Sequence, residues 1–112
     1  MPERERDPAL SKTLDRYEAA KSIIPGGTQL LSKRPEMHAP DQWPAYYSDA
    51  EGVTVVDLDG NEFTDMSLMG VGACVLGYGD EDVDAAARQA IDAGVMTTLN
   101  APEEVTLAEE LL

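Results

Sequence analysis

Tyr46–Gly79, YYSDAEGVTVVDLDGNEFTDMSLMGVGACVLGYG, is the stretch that decides the fold. It reads as strand, turn, strand, tight turn, strand, then a glycine-punctuated loop. Two apolar flanks, Val53-Thr54-Val55-Val56 and Phe63-Thr64-Asp65-Met66, bracket Asp59-Gly60-Asn61. Asp-Gly between β-favouring runs is a strong hairpin signal, because the turn needs positive φ and Gly supplies it without a steric cost. The loop from Met66 to Gly79 is dense in small residues, which predicts close approach of another backbone or a ligand. It is not a phosphate loop. It lacks a GK[ST] ending, and the spacing G-x-G-x-x-G fails at its last glycine.

Before this stretch, Asp7-Pro8 offers an N-cap followed by proline at the first helical position. Leu10, Leu14, Tyr17 and Lys21 share one face, with Ala20, Ile23 and Ile24 beside it, so a helix of about four turns is predicted. Pro25-Gly26-Gly27 ends it. Ser32-Lys33-Arg34-Pro35 reads as a short basic loop, and Pro35, Pro40 and Pro44 discourage regular structure. Trp43 needs a pocket to cover it.

After it, Asp80 caps a helix whose first turn carries Glu81, Asp82 and Asp84, where the helix dipole favours negative charge. Val83, Ala86, Ala87, Ala90 and Ile91 make its predicted buried face, and Gly94 stops it. Asn100-Ala101-Pro102-Glu103 predicts a further helix start, with Val105, Ala108, Leu111 and Leu112 as its apolar stripe. The sequence stops at Leu112 in mid-helix, which predicts a cut. The expected organisation is a disordered tail over 1–7, a helix, loop and antiparallel sheet over 8–79, and helices over 80–112.

With 112 residues there is room for one small domain. No run of about eighteen apolar residues is present, so no membrane span is expected. The N-terminus lacks an apolar signal core, and a lone cysteine, Cys74, cannot form an internal disulfide. A cytoplasmic location is the default expectation. Twenty-two acidic against eight basic residues give a net charge of −14. Seven of the eight basic residues fall in the first 34 positions, and Arg88 is the sole one from Pro35 onward. Such a surface repels nucleic acid and anionic membranes. It fits either a basic partner surface or an organism that favours acidic surfaces.

Groups able to do chemistry are few. His38 is the only histidine and sits on a proline-flanked loop. Cys74 lies in an apolar run and reads as a small buried residue. No clustered metal ligands are present, so no metal is expected. Asp57, Asp59 and Asp65 read as solvated or turn-capping residues of the hairpin. Lys33 and Arg34 could hold a carboxylate, or stand as a solvated loop. The residues by themselves give an α/β piece without a self-sufficient active site.

In combination, IPGGTQ, SKRP, GVTVVDLDGNEFTDM, VLGYGDEDVDAA and NAPEEVTLAEELL resemble the N-terminal region of class-III pyridoxal-phosphate aminotransferases, in the glutamate-1-semialdehyde 2,1-aminomutase-like branch. The resemblance spans roughly Ala19 to Leu112. It implies a fold-type-I enzyme several times longer, a homodimer, with this segment opening its small domain: a helix, a three-stranded antiparallel sheet, then helices. It implies pyridoxal 5'-phosphate bound by a large domain outside this chain, which also holds the Schiff-base lysine, so no catalytic residue is expected here and the isolated chain is expected to be inactive. The implied substrate is a small amine or keto compound. Ser32, Lys33 and Arg34 match the loop that approaches substrate, and Gly70, Val71 and Gly72 match a pocket-lining turn. Thr98 and Asn100 match a segment near the cofactor and dimer interface. Where the aminomutases carry Ser-Trp-Gly-Pro this sequence has Gly70-Val71-Gly72-Ala73, which favours a related transaminase or aminomutase acting on a different amine. The competing expectation is a free-standing acidic protein-interaction module that uses the stripe of Val105, Ala108 and Leu111.

Overall fold

A computed structural model describes residues 5–112. The expectation of a disordered tail falls largely on residues 1–4, which lie outside the described residues. The chain divides into two compact units, Met1–Asp80 and Glu81–Leu112.

In the first unit the Asp7 carboxylate accepts the Ala9 N–H at 2.9 Å and opens a 3-10 turn, Pro8–Leu10. That turn runs into helix α1, Ser11–Ile23. The 3-10 turn and the helix bury Leu10, Leu14, Tyr17 and Ala20 as the spacing predicts, and Thr13 in addition, while Lys21 of the predicted face is exposed. Ile23 and Ile24 depart from expectation: the helix ends beneath them and both side chains are exposed. Two 3-10 turns, Leu31–Lys33 and Pro35–Met37, follow.

Strands β1 (Tyr47–Glu51), β2 (Thr54–Asp57) and β3 (Glu62–Thr64) form an antiparallel sheet in the order β1-β2-β3. Ala50 pairs with Val55, and Val55 with Phe63, so these apolar residues lie in register across the sheet. The β1–β2 turn is tied back by Tyr78, whose N–H donates to the Gly52 carbonyl at 2.9 Å and whose carbonyl accepts the Gly52 N–H at 2.8 Å. Gly77 permits this approach, since a Cβ there would lie 3.0 Å from the Gly52 oxygen. Gly70 and Gly72 show no such neighbour: a Cβ on Gly72 meets open space.

Of the hairpin carboxylates Asp57 is withdrawn from solvent and caps the turn, while Asp59 and Asp65 remain partly exposed. Asp57 is 1% exposed. Its Oδ1 accepts the Asp59 and Asn61 N–H groups, both at 2.9 Å, and its Oδ2 accepts Asn61 Nδ2 at 2.9 Å. Asp59 reaches away from the hairpin to the start of α1 and accepts the Lys12 and Thr13 N–H groups at 2.9 and 3.1 Å. It therefore caps a helix that lies far back in the sequence, satisfying donors that a helix start leaves unpaired. Asn61 completes the knot by donating to the Ala9 carbonyl at 2.7 Å. Burial of Asp57 follows from these partners: a carboxylate can leave water when its lone pairs are filled.

In the second unit α2 spans Glu81–Ala93 and α3 spans Glu103–Leu111. Gly94 follows α2 at φ 109°, where its N–H bonds the Ala90 carbonyl. The predicted apolar faces exist but are uncovered. Val83, Ile91, Val105 and Leu111 are all exposed, and neither helix holds a buried residue. Asn100 does not cap α3. Pro102 occupies the N-cap position, without a side-chain cap bond. No helix among the described residues is long and apolar enough to cross a membrane.

Candidate functional site

Where α1 ends, the chain turns through Gly26 and Gly27 at φ 79° and 77°, a conformation that glycine adopts freely. The turn opens a cavity of about 300 Å³, lined by Tyr17, Lys21, Gly26, Gly27, Leu31, Arg34, Glu36 and Met37. A volume near 300 Å³ is at the small end of ligand pockets. The two glycines shape it directly. A Cβ on Gly26 would overlap the Arg34 guanidinium, and one on Gly27 would come within 2.9 Å of the Tyr17 ring.

The electrostatics are specific. Tyr17 is buried, and its hydroxyl donates to Glu36 Oε2 at 2.7 Å. Burial together with that carboxylate pushes the phenol up to about 12. Glu36 is held below the usual carboxylate range, first by the Tyr17 hydrogen bond. Lys21 pairs with Glu18 at 2.9 Å and stands 4.0 Å from Glu36. The Glu18 contact raises its ammonium above the ordinary lysine value. Arg34 is half-buried, and its Nε is buried without a hydrogen-bond partner. A buried guanidinium nitrogen with no acceptor is costly.

The structure separates the three residues of the basic loop. Arg34 lines the cavity; Ser32 and Lys33 are exposed and do not. Ser32 serves the loop through its carbonyl, which accepts from His38 Nε2 at 3.0 Å. His38 in turn stacks on Trp43, with ring centroids 4.1 Å apart, but the tryptophan remains 36% exposed, so the covering pocket that the sequence predicts is not formed. Gly70, Val71 and Gly72 lie on another loop and do not line the cavity. All three take positive φ; at Val71 the value is 60°, an outlier for a β-branched residue. Thr98 and Asn100 are exposed in the link between α2 and α3. Cys74 is half-buried, where the sequence suggested burial. Tyr17, Lys21 and Glu36 escaped the sequence reading as site residues. The helical spacing of Tyr17 and Lys21, one turn before Pro-Gly-Gly, was the available signal.

Among the described residues no group of three or more His, Cys, Asp or Glu is placed to hold a metal ion. Pyridoxal phosphate does not fit this cavity either. The cofactor needs an uncharged amine to engage its aldehyde, and the one lysine here is kept as an ammonium by two carboxylates.

No protein-family model matches the chain. It is similar to curated proteins of about four times its length. Over 103 residues it is 31% identical to a 3-aminobutyryl-CoA aminotransferase of Cloacimonas acidaminovorans, covering 91% of this chain and 24% of that one. Over 102 residues it is 36% identical to the glutamate-1-semialdehyde 2,1-aminomutase of Methanosarcina acetivorans, covering 91% and 23%. A glutamate-1-semialdehyde 2,1-aminomutase of Methylacidiphilum infernorum is 33% identical over 104 residues, covering 93% and 23%. The chain thus spans about a quarter of the length of the curated relatives it matches. Its helix, three-stranded antiparallel sheet and following helices, with similarity along nine-tenths of its length, make it a homologue of the N-terminal segment of the aminotransferase and aminomutases it matches.

Proposed function

We propose that the chain is the opening segment of a pyridoxal-phosphate-dependent aminotransferase or aminomutase, which moves an amino group to or within a small carbonyl compound. The observation that carries this reading is the similarity, over 91% of the chain, to enzymes of both kinds. Pyridoxal phosphate, when bound, supplies the electron sink for amino transfer. We assign it, with its lysine, to polypeptide beyond this segment, as the resemblance implies; Lys21, the lysine of the cavity, is engaged by carboxylates. The working form is a homodimer in the cytoplasm, which binds neither nucleic acid nor membrane.

The contribution of this segment is substrate placement. Arg34 is favoured over Lys33 as the group that holds a substrate carboxylate, because it lines the cavity and has an unfilled donor. A guanidinium takes a carboxylate by two parallel hydrogen bonds, which fixes direction as well as position. Ser32 and Lys33 form the outer rim of that loop. Gly70, Val71 and Gly72 form a second wall, and Thr98 and Asn100 approach the cofactor across the dimer, in the assembled enzyme.

The test uses the complete polypeptide that carries this sequence. It is expected to hold pyridoxal phosphate through dialysis, visible as absorbance, and to transfer amino groups from a carboxylate-bearing amine. Arg34→Gln is expected to raise KM for that amine with less effect on an uncharged amine. Absence of both cofactor and transfer would refute the reading.

A further inference from the structure

The cavity poses a question about charge. Arg34 and Glu36 are two residues apart and line the same space, yet among the described residues Arg34 makes no ion pair within 4.0 Å and no hydrogen bond. The carboxylate is drawn elsewhere. Its Oε2 accepts the Tyr17 hydroxyl at 2.7 Å, and its Oε1 stands 4.0 Å from Lys21 Nζ. Tyr17 is itself fixed. Its ring is 6% exposed and lies against Gly27, where any Cβ would collide with it. Lys21 is engaged by Glu18 on its own helix. The nearest carboxylate to the guanidinium along the chain is thus held off by a rigid donor.

We propose that Tyr17 is a latch on Glu36, keeping that carboxylate off Arg34 so that the guanidinium stays open to the carboxylate of an incoming ligand. This rests on Arg34 as the carboxylate-binding group. Tyr17 and Glu36 are then positioning residues that set how tightly the pocket holds an anion. Glu36 opposes the ligand by its charge, and Tyr17 limits that opposition. The latch holds at neutral pH, because the phenol titrates near 12 and Glu36 below the ordinary carboxylate value.

The proposal gives two conservative changes opposite signs. Glu36→Gln removes the competing charge while keeping an acceptor for Tyr17, so anion affinity rises. Tyr17→Phe keeps the ring and its packing but frees Glu36 to swing to Arg34, so affinity falls. A purely structural role would weaken binding in both. The experiment titrates succinate into the complete polypeptide by calorimetry, for the parent, E36Q, Y17F and R34Q. Several-fold tighter binding by E36Q, several-fold weaker binding by Y17F and loss of binding in R34Q support the latch. Shifts of E36Q and Y17F in one direction, no shift, or no succinate binding by the parent overturn it. The readout is anion binding and not turnover. Amino transfer without these shifts therefore overturns the latch alone, and the shifts without cofactor uptake overturn only the amino-transfer reading.

Discussion

Thr13 and Tyr46 are joined by a reciprocal pair of hydrogen bonds. The Thr13 hydroxyl donates to the Tyr46 carbonyl at 3.3 Å and accepts the Tyr46 N–H at 3.1 Å. Thr13 is fully buried, so the pair bolts α1 to the strand entry with no competition from water. Thr13→Val keeps the shape and strands both Tyr46 backbone groups, at a cost of about 1–3 kcal/mol. Thr13→Ser should recover most of it. Urea unfolding of the three proteins checks both statements.

Asp57 is the second structural lever. Its buried carboxylate satisfies two turn amides and the Asn61 side chain. Asp57→Ala leaves these donors unpaired and should cost about 2–3 kcal/mol. An unchanged unfolding midpoint would show that the turn closes without it.

The pH profile has two arms with worked signs. Glu36, Asp59 and Asp65 lie below their ordinary values. In Asp59 desolvation pushes upward, but the Lys12 and Thr13 amides, Ser11 and the Lys12 charge together outweigh it. In Asp65 hydrogen bonds from Ser67 and Tyr78 do the same work. Groups with depressed folded values contribute stability above their unfolded values, and lose it as the medium acidifies through the folded ones. Stability should therefore fall below roughly pH 4. Tyr17 and Tyr78 are raised from 10.0 to about 12, the second by its hydrogen bond to Asp65. Their contribution is complete below 10 and disappears between 10 and 12. Tyr78→Phe should flatten that alkaline arm, as read by unfolding midpoints across the range.

Gly77 should resist substitution. Its φ of 97° and the Gly52 oxygen at 3.0 Å from a built Cβ combine strain with a backbone clash. Gly77→Ala should destabilise by about 1–3 kcal/mol. Gly72→Ala keeps only the conformational part, because the space beside it is open. Comparing the two midpoints separates the effects.

Salt should stabilise the chain. The net charge is −14, and Arg88 is the only basic residue after Arg34. Screening within about 10 Å at 0.1 M weakens this self-repulsion. Unfolding midpoints should rise with added potassium chloride beyond any rise seen with sucrose of equal osmolality.

Local signals carried most of the architecture. Asp7-Pro8 marked the 3-10 turn that leads into α1, Pro-Gly-Gly marked the end of α1, and Asp-Gly between β-branched runs made the hairpin legible, because each acts within a few residues. Burial of Asp57 was hidden, since its neutral surroundings arise from a helix start reached through Asp59 and Asn61 across the fold. Lys33 and Arg34 are chemically alike and adjacent. Only the packing of one guanidinium against Gly26 distinguishes them. Periodicity announced an apolar face on α2 but carries no information about what covers it.

The knot of Asp57, Asp59 and Asn61 gives the hairpin motif a plain trade: it is carpentry. Both of its carboxylates and the Asn61 amide nitrogen are spent on tying the turn to itself and to the start of α1. The cavity beside Gly26 draws on none of these three residues, so its lining can change without disturbing the joint.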